Sequence, residues 1–382
     1  MAEAYVVEPD LGFINDVAKL GGGDLKKCYQ CAPCSVACPI SPDNHPFPRK
    51  EMIATSWGLK DKIVGNSDIW MCHNCGDCTT LCPRGAKPGD VLSALRLYTI
   101  QEYAFPKKVA KMVNDPKKLP VLLAIPAVIF LVVGVILRIF GVPWLHLFPG
   151  PEQVWQSDFI NNFLVDIIMI PTFTASVLIF ALGLMRFVSD MHKNALASGS
   201  TDKAKIDPKG FVEALIRVVP TILAHRKFTE CSENRERATS HMMVLYGFIG
   251  LFVVTTCFFI AEWIFHIEGP YRQINPIKWL ANFAGISLVI GSALLIKKRL
   301  SNKTQVSNYW DWYLVGLAFG LGITGLLTEM MRLAGFMGLS NLTYFIHLIL
   351  IWSLFAYTPF SKLAHLVYRT TAMTYNEYIG RK

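Results

Sequence analysis

Residues 119–137 read LPVLLAIPAVIFLVVGVIL and contain no charged side chain. A helix needs roughly 20 apolar residues to cross the hydrocarbon core of a bilayer. Five further apolar stretches follow this one, so the sequence predicts six transmembrane helices. Their predicted bounds are about 119–140, 163–188, 241–265, 279–297, 309–333 and 342–368.

The composition of the whole chain agrees with a membrane protein. Of its 382 residues, 52% are hydrophobic and 17% are charged, and the mean hydropathy is +0.36. This composition is too apolar for an ordinary soluble enzyme or a disordered chain. Lys and Arg outnumber Asp and Glu by 37 to 28. Because no basic face with interleaved aromatic residues accompanies this excess, we expect no nucleic-acid partner.

The basic residues are distributed unevenly among the predicted loops. With the N-terminal part on the inner side, the inner loops carry fourteen Lys and Arg residues and the outer loops carry three. The inner loops are 186–240 and 297–308, and the outer loops are 139–162, 262–278 and 329–341. The positive-inside rule therefore predicts that both termini are cytoplasmic. We expect a multi-pass protein of a bacterial or archaeal cytoplasmic membrane, and the start MAEAYVVEPD lacks the features of a signal peptide.

Eight of the ten cysteines fall into two copies of one motif. CYQCAPCSVACP occupies 28–39 and CHNCGDCTTLCP occupies 72–83, and both have the spacing C-x2-C-x2-C-x3-C-P. This spacing is typical of two-cluster ferredoxins, in which three thiolates of one motif bind one [4Fe–4S] cluster and the fourth binds the other. Zinc sites are the alternative, although zinc requires no such triple repeat. Disulfides are not expected in a reducing cytoplasm.

The spacing therefore predicts two ligand sets that cross between the motifs. The predicted ligands of cluster 1 are Cys28, Cys31, Cys34 and Cys82. The predicted ligands of cluster 2 are Cys72, Cys75, Cys78 and Cys38.

The stretch between the motifs favours helices. It contains MIATSWGLKDKIVGNSDIW, whereas a compact bacterial ferredoxin has short strands at this point. We therefore expect an all-α protein with an α-helical ferredoxin-like domain over 1–118 and a six-helix transmembrane domain over 119–382. The inner loop 189–240 contains an amphipathic stretch at 210–225, which could lie on the membrane, dock a partner, or pack as a plain surface helix.

Histidines in the spans are the candidate ligands for a membrane electron acceptor. His347 and His365 are eighteen residues apart on the last predicted helix, so they face the same way, roughly 27 Å apart along its axis. That spacing predicts two b-type haems, with His365 at the inner haem and His347 at the outer haem. His241, at the inner end of the third span, is the favoured second ligand at the inner haem.

The second ligand of the outer haem stays open, and a single haem is an alternative. His266 lies at the outer end of the third span, about 10 Å too far along for parallel helices. His225 and His192 lie on the inner side and could replace His241.

An electron-transfer chain in a membrane usually meets a lipophilic carrier, which favours a quinone as the exchangeable substrate. Several polar residues near His347 could handle the protons of a quinol. They are Lys278, Arg272, Glu262, Glu329 and Arg332. Lys278 and Arg272 could equally be interfacial anchors, and Glu329 and Arg332, three residues apart on a helix, could pair with each other.

Both halves of the chain resemble known families. The two motifs resemble those of the C subunit of heterodisulfide reductase. YGFIGLFV (246–253) and HLILIWSLFAYTPFSKLAH (347–365) resemble the haem b membrane subunits of respiratory nitrate reductase and of heterodisulfide reductase. The fusion of both parts, with one extra helix at 119–137, is similar to the C subunits of quinone-interacting membrane-bound oxidoreductase complexes from sulfate reducers.

The resemblance implies electron exchange between menaquinone and two cytoplasmic flavin/iron–sulfur subunits, with adenylylsulfate reductase as the indirect partner in sulfate respiration. It also implies that the final helix gives one ligand to each haem, which matches His347 and His365. The helix aligned with the second donor starts at His241, about one turn before the expected inner position, and Thr255 occupies the expected outer position.

A second function stays open, namely a membrane anchor and iron–sulfur relay of a heterodisulfide reductase-like complex without a haem or quinone reaction. The sequence contains no nucleotide-binding glycine loop, flavin fingerprint or nucleophile motif. We therefore expect a subunit of a quinone-dependent oxidoreductase complex rather than an enzyme that acts alone.

Overall fold

The computed structural model describes residues 8–142, 156–224, 235–267, 269–301 and 308–381, with side chains throughout except at 235–237. The regular secondary structure of these ranges is helical. The all-α fold class is therefore confirmed.

The N-terminal part consists of short helices joined by turns. They are α1 Leu11–Val17, α2 Pro33–Val36, α3 Arg49–Ser56, α4 Lys60–Val64, α5 Asp68–Met71, α6 Asp77–Thr80, α7 Pro88–Tyr103 and α8 Lys107–Val113. A π-helical turn at Ala18–Gly22 and a 3-10 turn at Gly23–Lys27 connect α1 to the first cysteine motif. Buried residues lie all around α7, which makes it the central helix of this part.

Longer helices make up the rest of the chain. They are α9 Leu119–Ile139, α10 Asn162–Ala197, α11 Pro208–Leu223, α12 Arg235–Trp263, α13 Pro276–Ser301, α14 Tyr309–Leu333, α15 Met337–Tyr357 and α16 Ala364–Tyr378, with 3-10 turns at Pro116–Lys118, Gln156–Asp158 and Thr358–Phe360. Six segments are long and apolar enough to span a membrane, and only 17–33% of their apolar windows is buried. Their outward apolar faces suit contact with lipid, so this is a multi-pass membrane protein.

Two of the predicted spans differ most from the observed helices. The helix predicted over 342–368 is broken, because α15 ends at Tyr357 and α16 begins at Ala364. Pro359 lies in the 3-10 turn between them, where its missing N–H and fixed φ end the first helix. The helix predicted to end at residue 188 continues to Ala197. Its last turns are polar, but the burial of Met191 and Ala195 stabilises them.

The chain forms two compact units. Unit 1 contains residues 1–111, 178–238 and 359–382, and unit 2 contains residues 112–177 and 239–358. The predicted domains 1–118 and 119–382 are divided by hydropathy rather than by compactness, and they stay a prediction.

Aromatic side chains form the centre of unit 1. Trp70 of α5 and Tyr368 of α16 are buried and stacked, with ring centroids 5.4 Å apart and an interplanar angle of 15°. Phe187 of α10 meets Tyr368 edge-on at 5.4 Å, and Tyr103 of α7 stacks on it at 6.2 Å. Such pairs contribute about 0.5–1.5 kcal/mol each beyond their burial. These rings join four helices from distant parts of the sequence into one core.

Glycines bring helices of unit 2 close together. A Cβ on Gly291 of α13 would lie 2.8 Å from Cβ of Met243 and 2.9 Å from the carbonyl oxygen of Ser240, both on α12. A Cβ on Gly322 of α14 would lie 2.7 Å from a methyl group of Val289 on α13. Small residues allow this close approach between membrane helices.

Replacing Gly291 by Leu should therefore destabilise unit 2, because overpacking a tight contact costs about 1–3 kcal/mol. Thermal unfolding of the detergent-solubilised protein, followed by size-exclusion chromatography, measures the effect. Gly316→Leu is the control, since no heavy atom lies within 4 Å of a Cβ at that position. Equal melting temperatures for the two variants would contradict the role of Gly291.

Candidate metal centre

The two cysteine motifs adopt the same unusual backbone conformation. Gln30 and Ala32 have φ of 60° and 73°, and the equivalent Asn74 and Gly76 have φ of 55° and 99°. Left-handed residues next to right-handed ones turn backbone N–H groups toward a shared concavity, an arrangement found in many iron–sulfur sites. Each motif thus forms a loop that wraps around a point, followed by one helical turn.

Backbone amides point at two of the sulfur atoms. The N–H of Asn74 donates to Sγ of Cys72 at 3.3 Å, and the N–H of Ala86 donates to Sγ of Cys82 at 3.4 Å. Hydrogen bonds to sulfur favour the thiolate form and tune the reduction potential of a bound cluster.

The four cysteines predicted to bind cluster 2 line one small cavity. Cys38 comes from the first motif, and Cys72, Cys75 and Cys78 come from the second. Apolar side chains complete much of the wall and exclude water, among them Ile40, Phe47 and Leu92. The structure therefore places Cys38 with the second motif, which supports the crossed ligand sets.

The surroundings of individual thiols show the same crossing. Burial raises the pKa of the Cys38 thiol to about 11, and Cys72 and Cys75 contribute to the rise. Burial also raises the pKa of Cys34, and there the contributing cysteines are Cys28 and Cys82. Each neighbourhood thus contains three members of one predicted ligand set.

The two cysteine sets supply the four thiolates that each four-iron cluster requires. Within the described ranges, no three His, Cys, Asp or Glu side chains are grouped so as to hold one metal ion. Thiolates around one zinc ion lie about 3.8 Å apart, because Zn–S is about 2.3 Å in a tetrahedral site. A four-iron cubane holds its thiolates farther apart, and the cysteine sets here fit that donor chemistry.

Two arginines hold the loop of the second motif. Nη1 of Arg96, on α7, donates to the carbonyl oxygen of Cys72 at 2.9 Å, and Nη1 of Arg369, on α16, lies 3.4 Å from the same oxygen. Trp70, two residues before Cys72, stacks on Tyr368. The cluster 2 loop is therefore fixed directly to α16.

A buried charge cluster lies in the same unit. Glu51 and Asp68 are 1% and 2% exposed. Lys50 contacts both carboxylates, and Arg381 pairs with Asp68 at 2.6 Å. Asn66 donates to Oε1 of Glu51 at 3.1 Å. Burial, with Asp68 beside it, raises the pKa of Glu51 to about 7.

The two histidines predicted as haem ligands each have one ring nitrogen engaged. Nδ1 of His347 lies 2.8 Å from Oγ1 of Thr324, and Nδ1 of His365 lies 2.6 Å from the carbonyl oxygen of Lys362. Metal-bound histidines usually have their second nitrogen held in this way. The Nδ1 contact of each residue is therefore of the kind that orients a metal-bound histidine, although the Nε2 edge of His347 rests against Gly325 of α14.

Their predicted alignment along one helix is wrong, because His347 lies on α15 in unit 2 and His365 lies on α16 in unit 1. His241 lies on α12 in unit 2, and its pairing with His365 stays a prediction.

The other candidate histidines occupy different settings. His266 follows the end of α12 with φ of 52°, and the next residue, Ile267, donates its N–H to the carbonyl oxygen of Ala261 at 2.9 Å. The helix predicted to reach 265 therefore stops earlier. His192 is buried in unit 1, where Nδ1 lies 3.0 Å from Oη of Tyr375. His225 lies outside the described residues.

The polar residues considered for a quinone form two groups in unit 2. Lys278 pairs with Glu329 at 2.7 Å, and Gln273 donates to Glu329 at 2.6 Å. The hydrogen bonds of the second group join α10 to α12: Asn162 donates to Glu262 at 2.8 Å, and Trp263 donates to Asp166 at 3.0 Å. Sequence reasoning missed Gln273 and Asn162, since nothing marks a neutral amide as a partner before the helices are packed.

Of the two arginines considered with them, Arg272 is exposed and Arg332 is half-buried. The closest cation to Glu329 is Lys278, and the charge of Arg332 also acts on the same carboxylate.

A comparison with known families identifies the cysteine region. The family model for the 4Fe-4S dicluster domain matches residues 24–86, which contain both motifs. The chain carries a 4Fe-4S dicluster domain. No curated protein and no solved structure matches the chain. The dicluster domain together with six membrane-length apolar helices fits an iron–sulfur membrane subunit and supports a role in membrane electron transfer.

The crossed ligand sets predict the outcome of single cysteine replacements. Cys38→Ser should remove the same electron paramagnetic resonance signal as Cys75→Ser, and Cys28→Ser should remove the other signal. Each variant should retain about four of about eight irons per chain. Cys257→Ser is the control, because this cysteine lies on α12 outside the motifs. Loss of the same signal in Cys38→Ser and Cys28→Ser would contradict the crossing.

The raised pKa of Glu51 predicts that the free energy of unfolding depends on pH. Its pKa rises from 4.5 to about 7 on folding, so between these values the folded protein binds a proton that the unfolded chain releases. Stability therefore falls as pH rises through this window. Glu51→Gln should flatten the dependence and stabilise unit 1 at pH 8 by about 1–3 kcal/mol. Denaturant unfolding at pH 5 and pH 8 measures it, with the exposed Glu8→Gln as control. An unchanged pH dependence in Glu51→Gln would count against this assignment.

Proposed function

We propose that this protein passes electrons between a membrane quinone and soluble partner subunits, by way of b-type haems and two [4Fe–4S] clusters. The observation that carries the proposal is the gathering of Cys38 with Cys72, Cys75 and Cys78 around one cavity, in a loop that α16 holds through Arg369. The match of residues 24–86 to a 4Fe-4S dicluster domain and the six membrane-length helices support a role in membrane electron transfer.

The residues of the head have defined tasks in this function. The eight motif cysteines would hold the clusters, which when bound take up and release single electrons. Apolar side chains such as Phe47 and Leu92 keep water from the second cluster site. Arg96 and Arg369 fix the Cys72 loop and place positive charge beside a negatively charged ligand set.

His347 and His365 would hold the haems, which supply one-electron carriers within the membrane. Thr324 and the Lys362 carbonyl orient the two rings through Nδ1. His241 is the proposed second ligand with His365. His192, whose Nδ1 faces Oη of Tyr375, and His225 are the alternatives to His241, and His266 is a weaker candidate because it has left its helix.

Proton exchange with the quinone is assigned first to Glu262. Its carboxylate accepts from a neutral amide, Asn162, and has Asp166 as a neighbour in the contacts between α10 and α12. A carboxylate in such a group can take up a proton without breaking an ion pair. Lys278 is paired with Glu329 and suits an anchor better, and Arg272 and Arg332 stay secondary candidates.

The resemblance to quinone-interacting oxidoreductase subunits supports the finer parts of the proposal. These are menaquinone as substrate, cytoplasmic flavin/iron–sulfur subunits as partners, adenylylsulfate reductase as the indirect partner in sulfate respiration, and a head with both termini in the cytoplasm. The excess of basic residues in the predicted inner loops supports this orientation.

A membrane anchor with an iron–sulfur relay and no haem is the second candidate function. The packing around His347 favours it, since a Cβ on Gly325 would lie 3.1 Å from Cε1 and 3.5 Å from Nε2 of the ring. This edge of the imidazole rests against α14, so a haem at Nε2 requires the ring to move.

Haem content separates the two functions. A pyridine haemochrome assay on the purified chain should give about two haems, and His347→Ala and His365→Ala should each lose about one, because each removes an axial ligand. His45→Ala, in the cysteine-motif region, is the control. Absence of haem from the unmodified protein would refute the haem and quinone part and favour the anchor.

The quinone step is tested on the same preparations. Menadiol, a soluble menaquinol analogue, should reduce the haems and then the clusters, and Glu262→Gln should slow this reduction without lowering haem content. Reduction at the unmodified rate in Glu262→Gln would refute its assignment.

A further inference from the structure

The two cluster sites differ in their exposure to solvent. Cys72, Cys75 and Cys78 are 8%, 9% and 8% exposed, and the fourth member of their set, Cys38, is half-buried. In the other ligand set, Cys31 is exposed and Cys28, Cys34 and Cys82 are half-buried. Electron transfer between proteins weakens steeply with distance, so a partner that approaches from solvent reaches the first set more readily.

Apolar side chains are exposed around this first set. Tyr29, Val36 and Leu81 are 68%, 87% and 58% exposed. Tyr29 follows Cys28, Leu81 precedes Cys82, and Val36 lies on α2, which contacts α6 just before Leu81. Exposed apolar clusters on a water-facing domain mark sites of protein contact.

Cations border these side chains. The guanidinium of Arg84 lies 4.0 Å from the ring centroid of Tyr29 and donates to its hydroxyl at 2.9 Å. Nε of Arg49 donates to the carbonyl oxygen of Gln30 at 2.8 Å, which holds its charge beside the same loop. Within the described part of the chain, neither arginine forms an ion pair. We call Tyr29, Val36, Leu81 and Arg84 the cluster 1 patch.

The nearby acid Asp24 does not offset this charge. It already pairs with Lys27 at 2.6 Å and with Lys87 at 3.1 Å. The positive edge therefore complements a partner whose docking face is acidic.

We propose that the cluster 1 patch docks a soluble electron-carrier protein with an acidic face, and that electrons enter or leave the head through cluster 1. The inference rests on the proposed electron-transfer function and adds its docking surface and the order of its clusters. In the exchange one electron passes between carrier and cluster 1, one partner is oxidised by one electron and the other reduced, and no bond or proton is transferred. Cluster 2, whose thiols from the second motif are the more buried, is then the second carrier of the head.

Reduced flavodoxin, an acidic flavin protein, is a suitable probe carrier. Stopped-flow mixing with the full-length, detergent-solubilised protein measures the rate at which the flavin is oxidised. Leu81→Asp and Arg84→Glu should each lower this rate about tenfold, because each places a negative charge opposite an acidic face. Leu11→Asp and Lys108→Glu are the matched controls, since these residues are exposed on α1 and α8, away from the motifs. Both controls should react at the unmodified rate.

The patch proposal is overturned if the patch variants react like the unmodified protein, or if the controls slow equally. Iron content and both resonance signals confirm that each variant keeps its clusters. The unmodified protein provides a test that needs no variant, because its rate should fall as salt rises from low to physiological ionic strength. A rate that is insensitive to salt, or rises with it, also overturns the proposal.

Reduction of the protein by menadiol tests the quinone function separately from the cluster 1 patch. If menadiol fails to reduce the protein while flavodoxin shows the predicted variant and salt effects, the quinone function fails and the patch stands. If menadiol reduces the protein but flavodoxin shows neither effect, the patch fails alone.

Discussion

Burial of cysteine thiols is the constraint on which this head depends. Burial raises the pKa of Cys34, Cys38 and Cys78 above the ordinary thiol value, and neighbouring cysteines add to the rise. These shifts favour the protonated thiols when no iron is bound. Iron must displace the thiol protons, so cluster binding depends on pH. Cluster binding also contributes to the free energy of folding of the head. The left-handed turns and the backbone N–H groups aimed at sulfur make the same pocket suitable for a negatively charged ligand set.

The crossing of Cys38 into the second site explains the architecture between the motifs. Residues 39–71 must leave the first loop and return, and they do so as α3, α4 and α5 packed on the central helix α7. α5 ends directly at Cys72, which places Trp70 in the aromatic core with Tyr368. The cluster 2 loop is thus bound to α16 by ring stacking and by Arg369, whereas the first set keeps an exposed side. The two ligand sets therefore differ in their access to solvent.

The cysteine motifs and the six apolar spans were predictable because both are local patterns of spacing and hydropathy. The break around Pro359 was partly visible, since proline disfavours a helix interior, yet prolines remain inside α9 and α10, and packing decides which helix ends. The extension of α10 to Ala197 was not predictable, because its polar last turns are stabilised by buried contacts with distant residues. The partners Thr324, Asn162 and Gln273 were likewise missed, because short neutral side chains show their role only after helices pack.

The proposed electron route depends on the identity of the metal in the head. Metal analysis of the anaerobically purified full chain identifies this metal. Iron, zinc and acid-labile sulfide are counted per chain, and the dithionite-reduced protein is examined by electron paramagnetic resonance. We predict about eight irons, about eight sulfides and two magnetically interacting [4Fe–4S] signals. Two zinc ions per chain without sulfide would contradict the iron–sulfur assignment and the electron route built on it.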